Sequence, residues 1–484
     1  MDRLPVVAYN IRCLIILIAM LNILIIGGGY SGATVAARLL RNQARRVRVI
    51  LINGSGRIAR GMAYGTQSPD HTLNVPAGNM SAYDDDPDHF LRFAARIDNG
   101  VTAASFLSRS IYGDYLESLL EQAESSGAPD NRLERIYENV THIADVAGAA
   151  HCAVTLESGK TLIVDKVVLA LGHFPSNSPW VADPTFYATT RYILDPWDQG
   201  KIHSIPTNAP VMLLGTGLTS VDVAMTLLNQ NSQRKIIAVS RRGLLPQYHR
   251  LSGGKPLDQG AQVIWGDATT VRKQLRRLRE YCNNLAARGH DWREGLALLR
   301  PVTAHIWLSY SEKERRRFLR HVQPYWDTHR HRLAPSVAER FDAALVANVL
   351  QTMAGRILGY KIDGDEVEVA IRGRSTHDIT IERVQYVINC TGPCANPRQV
   401  DNPLVQQLLR QGLIRPDELG LGIHVAPDCA VLNTEGKVSN KLFYIGPWLK
   451  ADYWEATAVP DLRVFARKLA QRLMQEDPIV VSGA

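Results

Sequence analysis

Asn22-Ile23-Leu24-Ile25-Ile26-Gly27-Gly28-Gly29-Tyr30-Ser31-Gly32 is the stretch on which the fold turns. A short apolar run enters a glycine turn, a helix-like stretch covers 33–41, and a second apolar run follows at 47–52. That order reads as a buried parallel strand, a turn, a helix and the next strand of the same sheet. Gly27, Gly29 and Gly32 carry the spacing Gly-x-Gly-x-x-Gly. The first position allows the tight turn, the second lets backbone approach a pyrophosphate, and the third lets helix and strand pack closely. The N-terminus of the helix that follows turns its N–H groups and the positive end of its dipole toward the anion. An acidic residue near the end of the second strand would hold a ribose hydroxyl. Asn53 stands there instead, and its neutral amide bonds a hydroxyl less strongly than a carboxylate would.

The pattern returns once. The run 211–214 enters Gly215-Thr216-Gly217-Leu218-Thr219-Ser220, a helix-like stretch covers 221–228, and a strand-like run covers 235–240. Gly215, Gly217 and Ser220 keep the spacing with a small residue in third place, and Thr219 lies inside the same turn. Ser240, Arg241 and Arg242 close the second strand. A hydroxyl with two guanidinium groups binds a 2′-phosphate that a carboxylate would repel, so this unit selects NADPH over NADH. Two further apolar runs, 167–172 and 387–392, end in small-residue turns at Gly172 and Gly392 and suit passage over a bound dinucleotide. Short alternating runs over 136–171 predict a small meander, the proline-punctuated 175–210 a connection, and the Arg/Leu/Ala-rich 268–353 mostly helix. The expected fold class is α/β, with two Rossmann-like dinucleotide-binding domains. Residues 20–175 and 384–475 form the first, which is interrupted by the second at 205–383 with its helical segment 268–353.

With 484 residues, 45% hydrophobic and 21% charged, the chain is long enough for roughly three domains and too apolar for global disorder. Its net charge of +8 is mixed with acids rather than gathered in a tail. That balance suits an enzyme of anionic phosphates, and no nucleic-acid partner is expected. Six scattered cysteines argue against a secreted disulfide framework and point to a reducing, cytoplasmic compartment. The apolar run 13–26, broken by Asn22, is shorter than the ~20 residues a bilayer span needs, so no stable membrane insertion is expected. Met20 stands just before the first strand, which predicts a start there and a dispensable extension over 1–19. A membrane anchor and an ordered N-terminal element are the alternatives for that extension.

Further segments carry a family resemblance: Arg60-Gly61-Met62-Ala63-Tyr64-Gly65-Thr66, His71-Thr72-Leu73-Asn74-Val75-Pro76, Tyr112-Gly113-Asp114-Tyr115-Leu116, Arg330-His331-Arg332 and Trp454-Glu455-Ala456-Thr457-Ala458-Val459-Pro460. With both glycine turns, they make the chain resemble the two-dinucleotide flavoproteins that include flavin-containing and N-hydroxylating monooxygenases. Within that group it resembles the bacterial FAD-NAD(P)-binding proteins of the YdhS-like kind. The resemblance implies FAD held by Gly27, Gly29, Tyr30, Ser31, Gly32, Asn53, Arg60, Asn74, Met80, Gly392, Gly446 and Pro447. It implies NADPH held by Gly215, Gly217, Thr219, Ser220, Ser240, Arg241 and Arg242. Gly446 and Pro447 are expected to bring the closing helix's N-terminus to the electron-rich end of the flavin, where its dipole stabilises the reduced anion.

The implied function is an FAD-dependent, NADPH-using oxidoreductase, a monooxygenase acting with oxygen on a small molecule, for instance by N-hydroxylating an amine. The alternatives are an NADPH-dependent flavin reductase or electron donor without oxygenation, and a non-catalytic flavin-binding regulatory protein. No catalytic acid or base and no oligomeric state can be read from the sequence. Cys390 and Cys394 flank a loop and form no Cys-x-x-Cys, which argues against a disulfide reductase. His321, His329 and His331 lie among arginines that would repel a metal cation, so structural or anion-facing roles are expected for them.

Overall fold

The computed structural model describes residues 20–66, 68–145, 151–250, 264, 266 and 269–475. The expected extension 1–19 lies outside the described residues. Leu21–Ile26 and Val47–Ile52 pair in parallel, and each is buried along nearly its whole length. That is why both read as unbroken apolar runs rather than alternating ones. They sit in a six-stranded sheet ordered Ala430–Leu432, Val438–Tyr444, Lys166–Leu169, Leu21–Ile26, Val47–Ile52, Arg132–Ile136. The helix Tyr30–Leu40 packs on this sheet and against the helices Arg109–Ser125 and Val459–Met474. The expected meander is the antiparallel sheet Val140–Asp145, Cys152–Leu156, Thr161–Val164. It is fastened to the helix Pro403–Arg410 by Gln407, whose amide bonds both the N–H and the carbonyl of Ile143.

The second sheet runs Ile379–Val384, Glu366–Gly373, Leu350–Asp363, Ile236–Ser240, Val211–Leu214, Tyr386–Asn389, Tyr192–Ile193. Three expected boundaries are corrected here. Tyr386–Asn389 pairs with Val211–Leu214, so the chain rejoins the first unit after this strand and not at 384. Tyr192–Ile193 adds an edge strand from the segment read as a connection, so the second unit begins before 205. The helices of the insertion run from Val271 to Val346, and Leu350–Asp363 is already strand because its first five residues pair with Ile236–Ser240.

The two units meet along three seams. The outgoing and returning linkers lie side by side, bridged at Phe174 and Cys394, with the Ser176 hydroxyl donating to the Gly392 carbonyl. A polar seam ties Asp70, His71 and Arg109 to the helix Leu218–Gln230. There Arg109 pairs with Asp222 at 2.8 Å, His71 lies 3.0 Å from the Thr226 hydroxyl, and Asp70 meets Asn229 and Arg340. The helical insertion, though it belongs to the second unit in sequence, docks on the C-terminal part of the first. The indole N–H of Trp307 donates to the Ala451 carbonyl, and that of Trp326 to Glu455. The rings of Trp307 and Trp454 lie 4.7 Å apart.

Both first glycines hold positive φ, +107° at Gly27 and +117° at Gly215. A Cβ on Gly27 would stand 2.3 Å from the Ala170 carbonyl oxygen, and one on Gly215 2.5 Å from that of Cys390. Gly27→Ala is therefore expected to cost about 2–4 kcal/mol and to lower the melting temperature by more than about 5 °C. A Cβ on Gly217 meets nothing within 4 Å. Gly217→Ala should hold the melting temperature within about 2 °C of the parent in the same thermal unfolding measurement.

Candidate functional site

Two features mark each glycine turn as an anion cradle. The helices Tyr30–Leu40 and Leu218–Gln230 have Gly29 and Gly217 as N-caps, no capping side chain, and no acidic residue in the first turn. Some other helix starts carry a side-chain cap, among them Ser108, Asp198 and Thr270, while others, such as that at Val459, do not. Two helix starts left with open N–H groups are sites for an external anion. The third position differs between the turns. At Gly32 a Cβ would stand 1.9 Å from the Gly27 carbonyl oxygen, so only glycine fits, whereas the second turn houses the buried Ser220.

Around the first cradle, Tyr30 and Ser31 are buried, and Tyr30 stacks with Tyr112 and meets Tyr64 edge-on. Burial pushes the Tyr64 hydroxyl up to about 12, so it stays protonated. Asn53 donates to the Ser55 hydroxyl and to the Arg57 carbonyl, so its amide nitrogen is engaged in its own turn and its carbonyl oxygen is the group left to meet a ribose hydroxyl. The Arg60 guanidinium pairs with Glu117 at 2.7 Å and with Asp114, and so fastens the segment around the helix Gly61–Tyr64 to the helix Arg109–Ser125. A 3-10 turn, Pro447–Ala451, follows Gly446, and the closing helix itself starts at Val459. Gly446 packs against the Leu171 carbonyl, while Thr457, Ala458 and Val459 bring the helix start to the cavity described next.

That cavity, of about 430 Å³, lies between residues 73–80, the helix start at Thr457–Val459 and the helical insertion. Asn74 and Met80, both implied by the resemblance to hold FAD, line it. A second cavity of about 360 Å³ adjoins it, and Ala63, Arg109 and His331 line both. Leu218 and Thr219 of the second turn, Gly392, and Trp197 wall the second cavity. Gly392 thus sits with the second turn, at the handover between units. At the second cradle, the Ser240 hydroxyl is used within its turn, accepting from the Gly243 N–H at 2.9 Å and lying 2.9 Å from Thr216. Arg242 donates to the Arg320 carbonyl, so it is partly committed to the insertion, while Arg241 is exposed.

Sequence reasoning missed Arg109, Arg300 and His249, met Arg330 and Arg332 only within the resemblance, and read His331 as structural or anion-facing, yet together these give the first cavity its charge. Arg109, Arg300, Arg330, Arg332, His249 and His331 all line it. Arg300 pairs with Asp461 at 3.1 Å and Arg330 with Glu455 at 3.0 Å. Burial alone raises the Glu455 carboxyl, but Arg330, His331 and the Trp326 indole outweigh it and hold it below its usual value. Burial raises Asp327 and lowers His331, which favours the neutral form of both. The His249 Nε2 lies 2.9 Å from the Asn74 carbonyl, the geometry of a neutral ring donating. Burial first, and then Arg332, hold this imidazole down to about 4.

Two such cradles, the second of which reaches one of the two adjoining cavities through Leu218 and Thr219, define a fold of two dinucleotide-binding units. Residues 24–174 match the model of the FAD-NAD(P)-binding family, so the first unit is a domain of that kind. The L-aspartate N-monooxygenase (nitrosuccinate-forming) of Streptomyces cremeus is 29% identical over 154 residues, which are 30% of this chain and 22% of that protein. Over nearly the full length, the structure of the ornithine hydroxylase of Pseudomonas aeruginosa in its reduced form aligns with 94% of this chain and 99% of its own, at 15% identity and a TM-score of 0.62. The L-lysine 6-monooxygenase of Pseudomonas syringae aligns over 93% and 98%, at 12% identity and a TM-score of 0.64. The chain shares their fold.

Two outcomes are expected. Arg241→Ala should raise the Michaelis constant for NADPH about 10–100-fold, the loss of charge-assisted bonds to a phosphate, and leave that for NADH within about twofold. A histidine held low in the folded state contributes stability that is complete above its ordinary pKa near 6.5 and is lost as the pH falls toward about 4. Denaturant unfolding should therefore weaken across that window, less steeply in His249→Gln.

Proposed function

We propose that the chain is an FAD-dependent monooxygenase that consumes NADPH and hydroxylates the nitrogen of a small amine. The observation that carries this reading is the junction of the two cavities at Ala63, Arg109 and His331, one reached by the second turn and the other closed by the helical insertion. The similarity to an aspartate N-monooxygenase and a lysine 6-monooxygenase supports the choice of oxygenation.

The residues present fit both nucleotides. The open helix starts at Gly29 and Gly217 would take the two pyrophosphates, Asn53 the ribose of FAD, and Arg241 the 2′-phosphate of NADPH. Bound FAD would supply acceptance of a hydride and transfer of one oxygen atom from O₂. The chain's own part is positioning and exclusion of water. Arg109, held to Asp222 and lying 5.6 Å from the centre of the Trp197 ring, fixes the wall where the two cavities meet. The neutral His249 holds the 73–80 loop through the Asn74 carbonyl. The first-turn N–H groups at Val459 set a positive dipole on the cavity wall. The insertion roofs the cavity through Trp326, Arg330 and Glu455, which limits water that would divert oxygen to peroxide.

The full chain should bind FAD at micromolar concentration, and under nitrogen NADPH should bleach its visible absorption. In air, an accepted amine should speed oxygen uptake and yield a hydroxylamine. If NADPH consumption is matched mole for mole by hydrogen peroxide with every amine tested, the oxygenation reading fails.

A further inference from the structure

The arginines in and around the first cavity are not equivalent. Arg109, Arg300 and Arg330 each face a carboxylate, at 2.8, 3.1 and 3.0 Å from Asp222, Asp461 and Glu455. Arg250 and Arg293, just outside, share Asp291 at 2.9 Å each, and Arg250 also meets Glu294. Arg332 stands apart from all five. It lines the cavity, its Nε is sealed from solvent with no hydrogen-bond partner, and among the described residues no carboxylate pairs with it. Its surroundings make this costly: burial, and then Arg330, Arg293 and Arg250, lower its pKa to about 10. Its guanidinium lies 5.9 Å from the centre of the Trp292 ring. A partly buried cation without a counter-charge is unfavourable in the free protein and favours an arriving anion.

The anion is not a nucleotide phosphate, because neither glycine turn lines this cavity and Arg241 lies at the other cradle. The helix start at Val459 already offers a positive dipole to the flavin's electron-rich edge. What remains is a negative group on the substrate, and a planar guanidinium fork matches a carboxylate in two parallel bonds.

We propose that Arg332 anchors a carboxylate of the substrate, which is therefore an amino acid rather than a simple amine or diamine. The amine half of that statement rests on the oxygenation reading above; the carboxylate half does not. Arg332 acts here as a specificity residue, selecting which amines stay in the cavity, while Arg300 and Arg330 are spent on holding the insertion to the C-terminal segment.

The test uses the full chain loaded with FAD, with succinate as a carboxylate probe that has no nitrogen and 1,4-diaminobutane as an amine probe that has no carboxylate. Binding is read from the melting temperature and from perturbation of the flavin absorption. Succinate should bind, Arg332→Gln should weaken it at least tenfold, and Arg332→Lys should weaken it less, with unchanged FAD content in both variants. Ligand-free Arg332→Gln should melt no lower than the parent, since it removes an uncompensated charge. In turnover, L-aspartate should stimulate oxygen uptake and 1,4-diaminobutane should not. The proposal is overturned if succinate fails to bind the parent, if it binds Arg332→Gln equally well, or if that variant loses FAD in step with succinate. Succinate binding that depends on Arg332, without any hydroxylated product, sustains the anchor and sinks only the oxygenation reading.

Discussion

The fold depends on two carbonyl groups pressed against two glycines. The oxygen that follows the strand Lys166–Leu169 closes on Gly27, and the one that follows Tyr386–Asn389 closes on Gly215. Each contact holds a crossover turn flat over the end of its sheet, and the next helix then starts with its N–H groups uncovered. The residue types outside the turns differ, yet both halves reach the same geometry. What is duplicated is a steric constraint, and an uncapped helix start beside each glycine turn is its direct result.

Electrostatics sorts the cleft into tied and untied charge. Most arginines near the cavities are neutralised by carboxylates from another element, and these pairs join distant parts of the chain: Arg109 to the second helix, Arg300 and Arg330 to the C-terminal segment. Half-buried pairs of this kind gain little net stability, since desolvation offsets most of the attraction. Their contribution is orientation. They set the insertion over the 73–80 loop and leave the remaining positive field for a ligand.

The two turns were legible because their signal is short, local and glycine-specific. The class of fold followed from them, as did the interruption of one unit by another. The 386–389 strand was assigned to the wrong unit because a buried apolar run fits either sheet, and only pairing with Val211–Leu214 decides it. Tyr192–Ile193 is too short to carry any periodicity. The sequence likewise cannot show that Asp114 and Glu117, on another helix, pair with the Arg60 guanidinium. The same holds in reverse for Arg332. Arg330 and Arg332 were visible within the resemblance, and the structural or anion-facing role was read for His331 between them, but which arginine lacks a carboxylate is a property of tertiary packing alone.

The paired linkers at Phe174 and Cys394 have one more consequence. Entry and exit of the interposed unit lie at a single point, so the chain could lose or exchange that unit without stretching its host, as a cassette with adjacent ends. What opposes such an exchange is not connectivity but the tryptophan face shared by Trp307 and Trp454, which a replacement would leave bare to water. The architecture is modular in its wiring and obligate in its packing.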